Sequence, residues 1–234
     1  MLDIIRGGNL TFLNVIIYLI STAAVIFITL PIHEWAHGFA ATRLGDPTPR
    51  WQGRLSFNPM AHLDPIGSLC ILLFGFGWAK PVSVNPRYFK NVKTGMAITA
   101  LAGPVANLIM GLIGVLLGNL MILITAVTDI EFFYYVAVFF VFVARINISL
   151  AVFNLIPIPP LDGSRILGVI LPDRIYYRIM QYERYLFYLV ILLLATNVLT
   201  VPLAILSGAV ENLYLLISSL IFPDNVVGYI SYLL

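Results

Sequence analysis

The stretch FLNVIIYLISTAAVIFITLPIHEWAHG, residues 12–38, joins two things that rarely meet. It begins with an uncharged run from Phe12 to Leu30, and it ends with His33, Glu34 and His37. Hydrocarbon is a poor solvent for ionisable groups, so such groups at membrane depth read as functional by default. Histidines at i and i+4 project from one helix face, so their ring nitrogens can meet one small cation. Neutral imidazole is a good zinc ligand. Glu34 lies about 100° around a helix of ~3.6 residues per turn, which sets its carboxylate beside a metal rather than on it. There it can take a proton from a water, the mechanical content of an HExxH pattern. The plainer reading is a pair of ordinary interface histidines.

Composition bounds the rest. Of 234 residues, 60% are hydrophobic and 10% charged, against about 25% charged in an ordinary soluble domain. The mean hydropathy is +0.97. A spanning helix needs about 20 mostly apolar residues. The runs 12–30, 95–128 and 185–210 carry no charge, and 132–161 carries only Arg145. The expected fold is an α-helical polytopic membrane protein of about 4–6 spans. It forms a single domain over 1–234, with core spans near 10–42, 95–128 and 132–160 and C-terminal helices near 175–234. The tail 211–234, interrupted by Glu211, Pro223 and Asp224, is either a fifth short span or interfacial. No cleaved signal is read at the N-terminus. The net charge of +2 predicts no nucleic-acid partner, and the single Cys70 leaves no Cys-based zinc site.

Lys and Arg favour the cytoplasmic side of short loops. Arg43, Arg50, Arg54, Lys80, Arg87, Lys90 and Lys93 lie between the first and second runs, and Arg165, Arg174, Arg178 and Arg184 follow the third. The intervening loop, Asp129 to Glu131, has no basic residue. These charges place 43–94 and 162–184 inside and 129–131 outside. Residues 66–79, IGSLCILLFGFGWA, are too few to cross as a helix and have basic flanks, so they read as a re-entrant or interfacial hairpin. The alternation of Trp51, Gly53, Leu55 and Phe57 suggests a short strand before it. Together these predict a small membrane-surface β element over about 50–90.

Zinc needs a third protein ligand and a position left for water. The candidates are His62, Cys70 and the carboxylates. Asp162, in NLIPIPPLDGSRIL, is the best of them. The charge pattern puts it at the same membrane side and depth as the histidine pair. Pro157, Pro159 and Pro160 stop regular helix there, and Gly163 permits a turn. Taken alone, Asp162 reads as a turn residue or as the N-cap of a helix over 164–171.

With HEWAH (33–37), LAGPVAN (101–107) and NLIPIPPLDG (154–163), the chain resembles the site-2 protease family of intramembrane zinc metalloproteases. LSFNPMAHLDPIGSL and GWAKPV are similar to its compact branch, without a PDZ module. The resemblance implies one Zn²⁺ per chain held by His33, His37 and Asp162, with Glu34 as general base. It also implies hydrolysis of peptide bonds within the membrane. Asn154 is implied to steady the tetrahedral intermediate as an oxyanion donor would; otherwise it bonds free carbonyls of the Pro-rich loop.

His62 is either an inhibitory metal contact or a loop post. Gly103 and Pro104 are candidates to kink the long second run, and Asn107 either touches the active-site region or packs between helices. Arg145 needs a carboxylate or carbonyl partner. Gly75, Phe76 and Gly77 either admit a substrate strand by β-augmentation or form a hairpin tip with no substrate role. The expected partners are the lipid bilayer and a single-span membrane protein substrate. The expected location is a prokaryotic cell membrane, with the active site facing the cytoplasm. Two rivals stand beside this reading: a metal transporter, which would show repeated halves, and a silent scaffold of the same fold.

Overall fold

The computed structural model describes residues 12–74 and 77–234. Its first helix, α1, runs from Phe12 to Arg43 with a wide π turn at Val25–Thr29. Pro31 explains that turn. Proline has no N–H and its ring strikes the carbonyl four residues back. Across the π turn the Leu30 N–H reaches back five residues to Val25 O, and the turn takes up the misfit. The change in helical phase sets the direction in which His33 and His37 project.

The helix α2 is a single turn, Thr48–Trp51, and α3 spans Pro65–Phe74. Two long helices follow, α4 at Val92–Thr128 and α5 at Glu131–Asn154. They are antiparallel and pack through small residues, which let backbones approach in a membrane. A Cβ on Gly114 would lie 3.0 Å from Ala144 Cβ, and one on Gly111 3.2 Å from Ile148 Cγ1. α4 stays helical through Pro104. α1 joins this pair through Ser21 Oγ, which donates to Phe139 O at 3.2 Å, and through an edge-on Tyr18–Phe142 ring contact.

The remaining helices are α6 (Gly163–Ile170), α7 (Asp173–Met180), α8 (Glu183–Ala195), α9 (Thr200–Ser219) and α10 (Asp224–Leu233). α9 runs parallel to α4. Tyr214 Oη donates to Leu108 O at 2.6 Å, and Asn119 Nδ2 donates to Ser218 Oγ at 3.3 Å. Glu211 of α9 faces Arg145 of α5 at 3.8 Å, which gives the mid-span arginine the carboxylate it needs. Four helices among the described residues are long and apolar enough to cross a membrane: α1, α4, α5 and α9.

The helical polytopic class stands, with three differences in detail. No strand occurs among the described residues, so the β element expected over 50–90 is replaced by helical turns and extended loop. The Trp51–Phe57 alternation is no buried strand face: Trp51 is 69% exposed and Phe57 62%, as befits aromatics at an interface. Residues 65–74 are helix because Asp64 caps them. Its Oδ1 accepts from the Gly67 N–H at 2.8 Å, and Pro65 suits the first helical position. The uncharged run 185–210 is also two helices rather than one span. It breaks after Ala195, where Asn197 takes a left-handed φ of 58°, and the crossing helix is α9. The third core span ends at Asn154, short of residue 160.

Candidate metal centre

The site forms where the second half of α1, the first third of α4 and the loop after α5 meet. His33 Nε2 and His37 Nε2 are 3.0 Å apart. Asp162 Oδ2 lies 3.5 Å from the first and 3.3 Å from the second. Four ligands placed tetrahedrally at zinc distances of 2.0–2.1 Å are separated by ~3.3 Å, so these three edges match the face of a zinc tetrahedron. Among the described residues, this is the group of ligand-type side chains that converges on a single point.

The donor chemistry fits as well. His37 Nδ1 is 2.7 Å from Thr99 O. A carbonyl only accepts, so Nδ1 carries the proton and donates, and in the neutral ring Nε2 keeps its lone pair. That lone pair faces another imidazole nitrogen and a carboxylate oxygen. Such convergence of acceptors calls for a cation. Burial raises the Asp162 pKa, but positive charge on His37 and His33 outweighs it and holds the carboxyl well below the usual carboxylate range. With the rings neutral, a cation at the same point would favour the carboxylate in the same way.

Asp162 is not the N-cap that its place before α6 suggests. It has helical dihedrals and makes no side-chain cap bond, and its carboxylate points instead to the histidines. The Pro-rich loop closes tightly behind it. A Cβ on Gly163 would fall on the Leu155 carbonyl and within 2.6 Å of Ile156 O, so only glycine lets the loop fold back this far.

Glu34 is 8% exposed and stands beside the three converging atoms, outside the group itself. Its Oε2 accepts from the Val82 N–H at 3.1 Å, which fixes the carboxylate's direction. A cavity of about 610 Å³ opens here. Asn154, Gly77, Trp78 and Val82 line it, together with one face of α8 marked by Glu183, Phe187, Ile191 and Leu194. Arg165 Nη2 donates to Glu183 Oε1 at 3.1 Å, tying α6 to this wall.

His62 sits elsewhere. It is fully buried, its Nε2–H donates to Ser56 O at 2.8 Å, and its own carbonyl accepts from Lys80 N. It lines no part of the cavity and acts as a post between two loops. Gly75 and Phe76 lie outside the described residues. Gly77 lines the cavity, but its missing Cβ serves the chain's own packing: a Cβ there would meet Gly67 O and come within 2.7 Å of Ile71 Cγ1.

Two residues of α4 escape a sequence reading. Thr99 contributes a carbonyl, which every residue has. Gly103 lies directly against the pair: a Cβ there would collide with His37 Nε2 and stand 2.6 Å from His33 Cε1. The signal for it was LAGPVAN, a glycine in an otherwise good helix-forming run.

The sequence profile of peptidase family M50 matches residues 117–197. A protein of Bacillus subtilis (strain 168) named "Putative zinc metalloprotease YwhC" is 38% identical over 190 residues, which cover 79% of this chain and 83% of that one. Two mycobacterial proteins named "Putative zinc metalloprotease Rip2" are also similar. The one from Mycolicibacterium smegmatis is 31% identical over 73% of this chain and 65% of its own. The one from Mycobacterium tuberculosis (strain H37Rv) is 30% identical over 58% and 51%. No solved structure matches the chain significantly.

Proposed function

Since the chain belongs to peptidase family M50, the site-2 proteases, we propose that it is a zinc-dependent endopeptidase that cuts transmembrane or membrane-proximal segments of other membrane proteins. The observation that carries this reading is the convergence of His33, His37 and Asp162 on one point, 3.0–3.5 Å from one another, with Glu34 beside them. His33, His37 and Asp162 would hold the zinc ion. When bound, zinc supplies Lewis acidity, making a water acidic near neutral pH and polarising a peptide carbonyl.

The chain's own residues do the rest. Glu34, aimed by the Val82 N–H, takes the proton from the attacking water and later gives it to the leaving amine. Asn154, at the end of α5 and on the cavity wall, donates toward the oxygen that gains charge. His37 is held in one tautomer by Thr99, so its Nε2 stays available. The apolar walls from α1 and α8 exclude bulk water from a site that has to admit only one.

A helix hides its carbonyls, so the substrate has to unwind before it reacts. Its freed backbone groups then need partners in a low-dielectric site. The segment from Gly77 to Val84, without regular secondary structure, runs along the cavity, and its backbone groups other than the bonded Lys80 and Val82 N–H are candidates to pair with the substrate. A single-span membrane protein fits this arrangement, and nothing in the charge pattern asks for a nucleic acid. The basic residues flanking the site end, from Arg43 to Lys93 and from Arg165 to Arg184, set against Asp129 and Glu131 at the far end, support an active site on the cytoplasmic side. The prokaryotic cell membrane is the setting we infer, with the whole chain as one domain. A transporter reading loses ground because the chain has no repeated halves and keeps a base that transport would not need.

The test is reconstitution in proteoliposomes with single-span substrates. Wild-type protein cuts them, a zinc chelator stops the reaction, and added zinc restores it. Substrates with Gly or Pro near the cut are processed faster than stable helices, since less helix has to be unwound. Cleavage that is indifferent to the chelator would remove the metal from the reaction, and equal rates for stable and broken helices would remove the unwinding step.

A further inference from the structure

α4 packs against α1 with its Thr99–Gly103 turn at the histidines: the Thr99 carbonyl accepts from His37 Nδ1, and Gly103 lies against both rings. The next position on the same α4 face is Asn107, one turn beyond Gly103. Helical side chains lean toward their own N-terminus, so the His33 ring leans toward that level.

Three buried atoms of His33 and Asn107 have nothing to bond. His33 Nδ1 has no partner, and neither do Oδ1 or Nδ2 of Asn107, which is 1% exposed. A buried polar atom left unpaired is costly and calls for an explanation. A ligating histidine almost always donates its second ring N–H to an outer partner, which fixes tautomer and orientation. His37 has such a partner in Thr99, and His33 lacks one. Resting on the zinc reading above, we propose that Asn107 is the positioning residue for His33. Its carboxamide oxygen accepts the His33 Nδ1–H, directly or through one water, and so presents Nε2 to the metal. One face of α4 then serves both ligands: Thr99 holds His37, Gly103 makes room for both rings, and Asn107 holds His33.

The experiment is zinc affinity of the purified full-length chain by chelator competition, for wild type, Asn107→Leu, Asn107→Asp and Asn147→Leu. Loss of an outer-shell partner typically weakens metal binding about 10–100-fold, and Asn107→Leu is expected to fall in that range. Asn107→Asp keeps an acceptor and is expected to hold zinc at least as tightly as wild type. Asn147 is a fully buried asparagine on α5 whose Nδ2 donates to Val143 O; its replacement is expected to leave zinc affinity unchanged. Wild-type affinity in Asn107→Leu overturns the proposal, as does an equal loss in Asn147→Leu.

If Asn107→Leu does not fold, wild type and Asn107→Asp labelled with 15N-histidine decide. A protonated His33 Nδ1 whose resonance moves in Asn107→Asp supports the proposal, and one whose resonance that substitution leaves unchanged overturns it. A wild-type chain that binds no zinc would defeat the metal reading itself, a result distinct from any of these.

Discussion

Glu34→Gln is expected to abolish peptide hydrolysis while leaving zinc in place. The substitution nearly preserves volume, and the amide oxygen can still accept the Val82 N–H that now binds Glu34 Oε2. Glu34 also lies outside the group of converging ligand atoms, so the metal centre keeps all its donors. What is lost is the ability to take a proton from water. General acid–base catalysis contributes about 10²–10⁴-fold, so cleavage in proteoliposomes should fall by roughly three orders of magnitude at unchanged zinc content. A metal-loaded Glu34→Gln protein that still cuts would take Glu34 out of the mechanism.

Gly103→Ala is expected to damage the site nearly as badly, through a single methyl group. The new Cβ would overlap His37 Nε2 and press on His33 Cε1. α4 cannot easily back away, because Gly111 and Gly114 already hold it against Ile148 and Ala144 of α5 at contact distance. The rings have to rotate instead, and the convergence on the metal is lost. Overpacking a tight site costs about 1–3 kcal/mol. If that falls on the metal-bound arrangement, zinc binds roughly 5–150-fold more weakly. Gly208→Ala in α9 is the control, since a Cβ there meets nothing within 4 Å. Equal zinc affinity in the two variants would show that Gly103 does not crowd the ligands.

The parts of this protein that were legible in the sequence are those written in side-chain chemistry. His33, Glu34 and His37 announce themselves as ionisable groups closing a hydrocarbon-length run. The charge pattern makes Asp162 a candidate third ligand by setting it at the same depth as the histidines. Features written in backbone were not legible. Thr99 acts through its carbonyl, and no residue identity marks that. Gly103 matters through an absent Cβ, and its meaning depends on which helix faces it.

The membrane-surface segment carries a misleading signal: its alternating aromatics look like a strand pattern, whereas Trp51 and Phe57 are simply exposed. There the Asp64–Pro65 pair carried a helix-start signal that outweighed the apolar count. The C-terminal run 185–210 looked like one span because hydropathy does not register a turn. The left-handed Asn197 divides it, leaving α8 free to wall the cavity and α9 to cross.

The assignment of the third ligand bears most weight, because without Asp162 the HExxH pair is only half a metal centre. Its direct test is metal analysis of the purified chain and of Asp162→Ala. The wild type should carry about one zinc, as a single catalytic site requires. Asp162→Ala should carry almost none, since it removes one of three protein ligands and the anion that neutralises the ion's charge. Full zinc occupancy in Asp162→Ala would contradict the account.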